Sequence, residues 1–208
     1  MKMLTLLAAA LSAILLLSLT ACGESTVYDQ SAYTPGVIDG DSFSCPQAGI
    51  AATLNDEWLI YGPENFESVI GMKQDLADRA MVEDILNAGQ PLYELYAAHA
   101  DRSIVRVAVE DLRPLYGDIT AQDYAEIQAN HLPTMAEAFS LENPEVQLGT
   151  TEIAGRAFPS VFFVAQMVHV PHYEHHVYIQ QGNYLYTITL SCVEVDRTAE
   201  LLRLFTAA

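Results

Sequence analysis

Four of the six histidines fall within eight residues, in the stretch His169-Val-Pro-His172-Tyr-Glu174-His175-His176. Pro171 predicts a turn, which puts this cluster at a hairpin tip. In extended backbone alternate side chains share a side, so His172, Glu174 and His176 point one way. His169 can add a fourth donor from across the hairpin. Imidazole nitrogen and carboxylate oxygen are good ligands for zinc and similar ions. The candidate metal set is therefore His169, His172, Glu174 and His176. The spacing matches no known motif, because His-Glu-x-x-His is absent. Two other readings stand beside it: a pH-responsive tip, since imidazole titrates near neutrality, and an exposed polar tip with no ligand.

The three cysteines carry different chemistry. Met1-Lys2 is a short basic start, and an apolar run from Leu4 to Leu19 follows, broken only by Thr5, Ser12 and Ser18. The run is short for a spanning helix. It fits the apolar region of a secretory signal, with the small Ala21 before the cut. Leu19-Thr20-Ala21-Cys22 resembles the lipobox of bacterial lipoproteins. That resemblance implies a lipid thioether on Cys22, cleavage before it, and Cys22 as the first residue of the mature chain. It also implies attachment to the extracytoplasmic face of a cell membrane. Two acyl chains hold a protein stably where one holds it marginally. With Cys22 lipidated, Cys45 and Cys192 remain as an even pair outside the cytosol, and a Cys45–Cys192 disulfide is expected. Two buried free thiols are the alternative.

The chain has 27 Asp and Glu against 9 Lys and Arg, a net charge of −18. Lys2 is the one charged residue among the first 21, so residues 22–208 hold 8 cations against the same 27 acids, a balance of −19. Such a surface excludes nucleic acid as a partner, because phosphates need Lys and Arg. It also excludes electrostatic docking on anionic lipid. The lipid on Cys22 is left as the membrane contact, and a tethered monomer is the simplest assembly.

Residues 23–42, GESTVYDQSAYTPGVIDGDS, have the composition of a flexible linker. The expected organisation is a signal over 1–21, lipidated Cys22 and tether over 22–42, and one domain over 43–208. Within the domain, strands are expected at Phe43–Cys45 and within 49–61, followed by a helix over 76–86 ending near Gly89. A hairpin pairs 91–98 with 103–112. Thr120 and Asp123 form a capping-box start for a helix whose inner face is Tyr124, Ile127, His131 and Met135, kinked or broken at Pro133. Strands at 145–153, 156–169, 174–181 and 184–193 follow, with the clearest turn at Gln181-Gly182-Asn183. The last strand reads as half-buried, with Tyr184, Tyr186, Ile188, Leu190 and Cys192 inward. Asp196 then caps a final helix carrying Leu201, Leu204 and Phe205.

This order predicts an α+β fold, an antiparallel β-sheet with helices on its faces. In that order the chain resembles the PsbP-like family, which also includes the Ran-release-factor fold and many Gram-positive surface lipoproteins. The stretch Leu54-Asn55-Asp56-Glu57-Trp58 stands where the family has Pro-x-Gly-Trp, without the Pro and Gly. The resemblance implies a three-layer α/β/α sandwich that binds a protein partner or a small ligand, usually without catalysis. A cystatin-like or nuclear-transport-factor-like α+β fold, with helices on one face only, is the alternative.

No Gly-x-Ser-x-Gly elbow, dinucleotide fingerprint or phosphate loop is present in the sequence. Asp39-Gly40-Asp41 is a fragment of a calcium loop without the remaining ligands. The expected function is therefore a membrane-anchored binding protein of the cell envelope, without enzymatic activity or cofactor.

Overall fold

Strand patterns from Trp58 to Val193 build the larger of two antiparallel sheets. The computed structural model describes residues 33–62 and 65–208. The expected signal over 1–21, Cys22 and the first part of the tether lie outside the described residues. The strands are β1 (Val37–Asp39), β2 (Ser42–Cys45), β3 (Ile50–Thr53), β4 (Trp58–Tyr61), β5 (Leu92–His99), β6 (Ile104–Asp111), β7 (Glu142–Ile153), β8 (Arg156–Met167), β9 (Val170–Gln181), β10 (Tyr184–Val193) and β11 (Phe205–Thr206). The helices are α1 (Phe66–Ile70), α2 (Arg79–Asn87), α3 (Arg113–Tyr116), α4 (Ala121–Ala138) and α5 (Thr198–Leu202). The seven-stranded sheet runs β4-β5-β6-β10-β9-β8-β7, and a four-stranded sheet runs β1-β2-β3-β11.

Helix α4 packs on one face of the large sheet. Its Tyr124, Ala125, Leu132 and Ala136 meet Val161, Phe163, Tyr178 and Leu185. Helix α5 lies over the opposite face, beside Ser160, Phe162 and His175. The fold is thus α+β, an antiparallel sheet with helices on both faces, and the one-face alternative does not hold. The small sheet shares the second face with α5: Cys45 of β2 is close enough to Tyr186 of β10 for their charges to interact.

Local chemistry sets the helix ends as the sequence predicts. Thr120 Oγ1 accepts from the Asp123 amide at 3.1 Å, and Asp123 Oδ2 accepts from the Thr120 amide at 2.9 Å. Such a cap contributes about 1 kcal/mol. Past α2, Gly89 takes φ +63°, and the amide of Gln90 returns to Ile85 O at 3.1 Å, a helix ending that favours glycine. Two expectations for α4 are corrected. Pro133 does not end the helix, which runs unbroken over Ala121–Ala138. The buried face of α4 against the sheet outweighs one lost backbone donor. Its inner residues are Tyr124, Ala125, Leu132 and Ala136, while His131 is exposed and Met135 is 47% exposed. Strand β10 is also covered on both sides rather than half-buried, with Thr189 and Ser191 buried along with Ile188 and Leu190.

Residues 33–42 are not tether. β1 pairs with β2 through Val37↔Ser44, Ile38↔Phe43 and Asp39↔Ser42. Tyr33 packs on Tyr184, their rings 5.6 Å apart, and its hydroxyl donates to Glu94 Oε1 at 2.7 Å. Glu94 sits at a bulge in β5, where the register shifts between Tyr93 and Leu95. It is 1% exposed. The Gly36 amide donates to the same oxygen at 3.2 Å. A Cβ on Gly36 would lie 2.6 Å from the Phe43 ring and 3.1 Å from Glu94 Oε2, so the backbone comes this close only as glycine. Linker-like composition hides these contacts because the ones to Glu94 and Tyr184 depend on residues far along the chain, 61 positions away for the Tyr33 hydroxyl and 58 for the Gly36 amide.

The expected Cys45–Cys192 disulfide is absent: both cysteines are free and buried. Cys45 lies near Tyr186, whereas Cys192 is six residues further along β10. Six strand residues span about 20 Å, well beyond the Cα separation that a disulfide bridges. Burial, and then the charge of Glu94, push the Cys45 thiol up to about 12.

Two measurements check this architecture. Tyr33→Phe leaves a buried carboxyl short of a donor and is expected to cost about 1–3 kcal/mol in urea unfolding, although Tyr33 falls in the linker-like stretch. Alkylation in denaturant without reductant is expected to label both Cys45 and Cys192, with an unchanged melting temperature when reductant is added to the native protein.

Candidate ligand-binding face

Three of the four histidines, His172, His175 and His176, are not at a tip but within β9. The turn between β8 and β9 is Val168-His169, both at positive φ, +52° and +65°. Pro171 already lies inside β9, opposite Gln166. His172, Glu174 and His176 therefore occupy the middle of the sheet, on one face, as alternate strand positions must. His169 stays at the turn, 84% exposed, with its Nδ1 3.6 Å from Glu142. His175 points to the other face.

The expected metal set does not converge. His172 Nε2 is 3.0 Å from Glu174 Oε1, and His176 Nε2 is 2.9 Å from Glu174 Oε2. The carboxylate thus takes up both imidazoles, His172 through a hydrogen bond and His176 through close ion-pair approach. Among the described residues, no three His, Cys, Asp or Glu side chains gather where they could hold an ion. Thr189 Oγ1 lies 3.3 Å from His176 Nδ1, and Arg106 Nη2 lies 4.0 Å from Glu174 Oε1. Burial alone would raise Glu174. The hydrogen bonds from His172 and His176, with the charges of His176 and Arg106, overcome it and hold the carboxylate far below its usual range.

The same face deepens toward α4. Strand register aligns Arg106 with Thr189 and His176, then Ala108 with Thr187 and Tyr178, then Glu110 with Leu185. Small Ala108 and Thr187 leave a hollow of about 300 Å³, walled by Tyr93 of β5 and by Tyr124, Gln128 and Met135 of α4. Arg106 and Glu110 both line it. They are four strand residues apart, about 13 Å. Arg106 Nε is buried without a hydrogen-bond partner. Glu110 Oε2 accepts from the Tyr124 hydroxyl at 3.3 Å. Burial pushes Glu110 up to about 7, and the Tyr124 bond only partly offsets that rise. Perturbed carboxyl groups in a hollow mark candidate binding sites.

On the opposite face, His175 Nε2 lies 2.8 Å from Thr151 Oγ1, which lies 2.9 Å from Ser160 Oγ. Burial, and then the charge of His176, hold His175 below the usual imidazole range. Ser160 reaches the imidazole only through the Thr151 hydroxyl, so these groups do not form a serine–histidine pair. Reading the sequence for motifs missed Arg106, Glu110 and Tyr93. The signal was present in β6, where Arg106, Ala108 and Glu110 alternate with Val105, Val107 and Val109.

No protein-family model matches the chain, and no curated protein matches it. Among solved structures, it is similar to the cyanobacterial PsbP protein CyanoP of Synechocystis sp., at 13% identity and a TM-score of 0.47, over 85% of this chain and 98% of that one. It is also similar to LpqN of Mycobacterium tuberculosis, described as involved in cell envelope biogenesis, at 10% identity and a TM-score of 0.36, over 74% of this chain and 75% of that one. A protein of unknown function from Pseudomonas aeruginosa, a putative regulator, matches at 18% identity and a TM-score of 0.33, over 46% of this chain and 62% of that one.

Glu110 and Glu174 predict opposite pH dependence. Glu110 is raised, so the folded state holds a proton that the unfolded state has lost, and stability falls as pH rises from the usual carboxylate range to about 7. Glu110→Gln is therefore expected to raise the melting temperature at pH 8, with the gain shrinking toward pH 4. Glu174 is lowered, so its stabilisation is complete above the usual carboxylate range and is lost below it. Glu174→Gln is expected to melt several degrees lower at pH 7, with a smaller deficit in strong acid. Thermal unfolding across pH checks both signs.

Proposed function

We propose that this chain is an extracytoplasmic lipoprotein, anchored through Cys22, whose domain binds a small ligand without catalysis. The observation that carries the binding reading is the hollow beside α4, where Arg106 and Glu110 face one space of about 300 Å³ without pairing to each other. A structural sheet face would fill such a space with aliphatic side chains. Here it is lined by charge, hydroxyls and tyrosine rings, which orient a ligand and give it specificity. The lipobox-like Leu19-Thr20-Ala21-Cys22 supports the anchor, together with an acidic surface that gives anionic lipid no other hold. Among the described residues, no helix is long and apolar enough to cross a membrane.

Both parts are testable on the protein from its own cells. Wild type is expected to sediment with membranes through a salt wash, and Cys22→Ser to be released as an intact, folded domain. A mutant that stays membrane-bound overturns the anchor. Native mass spectrometry of the released domain is expected to show a small noncovalent adduct that disappears in Tyr178→Ala. An adduct-free wild type, or an adduct indifferent to that substitution, overturns binding at the hollow.

A further inference from the structure

Glu110 is, among the described residues, a carboxyl group without a cation beside it. Among the described residues, no Lys, Arg or His nitrogen comes within ion-pair distance of it; Arg106, on the same strand, instead lies 4.0 Å from Glu174. Three phenols surround it. The Tyr124 hydroxyl reaches it at 3.3 Å. Tyr93 stands on the neighbouring strand, across Ala108, and Tyr178 stands across Thr187. Both rings are close enough to feel the Glu110 charge. Tyr124 and Tyr178 meet edge to face with their centroids 5.5 Å apart, and Tyr116 meets Tyr124 in the same way at 5.8 Å. A carboxylate among aromatic rings, open to a hollow, is the arrangement that receives an ammonium group, by charge and by cation–π attraction together.

We propose that the hollow beside α4 takes a small organic ammonium ion, its charge against Glu110 and its alkyl body against the rings of Tyr93, Tyr124 and Tyr178. This inference rests on the reading of the hollow as a binding site and names the ligand class. A divalent metal fits poorly, since a hard ion needs about six oxygen ligands and Glu110 is the one carboxylate lining this hollow. Burial keeps the Tyr124 and Tyr178 phenols protonated. At the Glu110 end an anion would meet the carboxylate, while Arg106, at the other end of the hollow, is offset by Glu174 at 4.0 Å. The net charge of −18 draws cations toward the whole surface.

The groups facing Glu110 set the pH dependence of binding. Beside Glu110 stand Tyr93 from β5, Tyr124 from α4 and Tyr178 from β9, and the hollow's other charged or titratable lining groups are Arg106 from β6 and His176 from β9. An alkylammonium keeps its charge below about pH 10, so affinity follows ionisation of Glu110 and rises through about 7. The test is calorimetry and amide NMR on the full chain in detergent, titrated with butylammonium, tetramethylammonium, butyrate and glucose. Saturable ammonium binding is expected, strengthening from about pH 5 to about pH 8 and weakened about tenfold or more in Glu110→Gln. Glu110→Asp should retain part of the affinity. Glu126→Gln, on the exposed side of α4, should bind as wild type and so separates the site from bulk acidity. Equal binding in Glu110→Gln, a flat pH profile, or no ammonium binding overturns the proposal. If butyrate or glucose instead shifts the amides around Ala108 and Thr187, the ammonium class is wrong and the binding site stands. Failure of the site itself is read separately, from the adduct.

Discussion

Strand β10 is hydrogen-bonded along both edges, to β6 over Tyr184–Ser191 and to β9 over Tyr184–Val193. Side chains alternate across a sheet, so a slip of one residue in either ladder would exchange its two faces. The register of β10 therefore decides which residues meet. It puts Tyr186, Ile188 and Leu190 toward the small sheet, and Thr187 and Thr189 toward α4. Arg106 and His176 stand on either side of Thr189 only because both ladders hold this alignment. The polar hollow and the buried second face are two results of one constraint.

The bulge in β5 acts on the same sheet at a smaller scale. Tyr93 stands on the hollow's wall and Glu94 points into the space between the sheets, and the bulge lets Leu95 follow Glu94 on that same side. In regular alternation Leu95 would face the hollow; the extra residue at the bulge keeps Leu92, Glu94 and Leu95 all on the side of the small sheet. There Glu94 collects Tyr33, Gly36 and Cys45. A buried carboxyl is costly unless hydrogen-bonded, so the strand arriving at Gly36 is held by the needs of a residue in another sheet. The N-terminal segment and the large sheet are thereby coupled.

The histidines show how one set of groups can serve structure rather than ligation. Glu174 is placed between two imidazoles and near Arg106, and its oxygens are already taken. Glu110, on the same face, has among the described residues only a phenol. Two carboxyl groups on one sheet face are thus driven in opposite directions, one by added donors and the other by desolvation. Glu174 ties β9 to β6, and Glu110, bonded to the Tyr124 hydroxyl, is left facing the hollow.

Much of the scaffold was legible in residue order. Short-range rules suffice for the Thr120–Asp123 cap, the Gly89 helix ending, the turn at Gly182-Asn183 and the alternation in β6 and β10, since each depends on neighbours a few positions away. The same alternation correctly placed His172, Glu174 and His176 on one face. Local rules failed where a distant partner decides the energy. Pro171 signalled a turn that β8 moved to Val168-His169. Residues 33–42 read as linker until Glu94 and β2 supplied their partners. Cys45 and Cys192 looked paired until β10 separated them along its length. Sequence determined the elements, the acidity and the lipobox-like start, because those are properties of adjacent residues. Tertiary structure alone decided that Glu174 would be satisfied and Glu110 left facing a hollow, because a carboxyl group's partners come from whichever strands and helices pack against it.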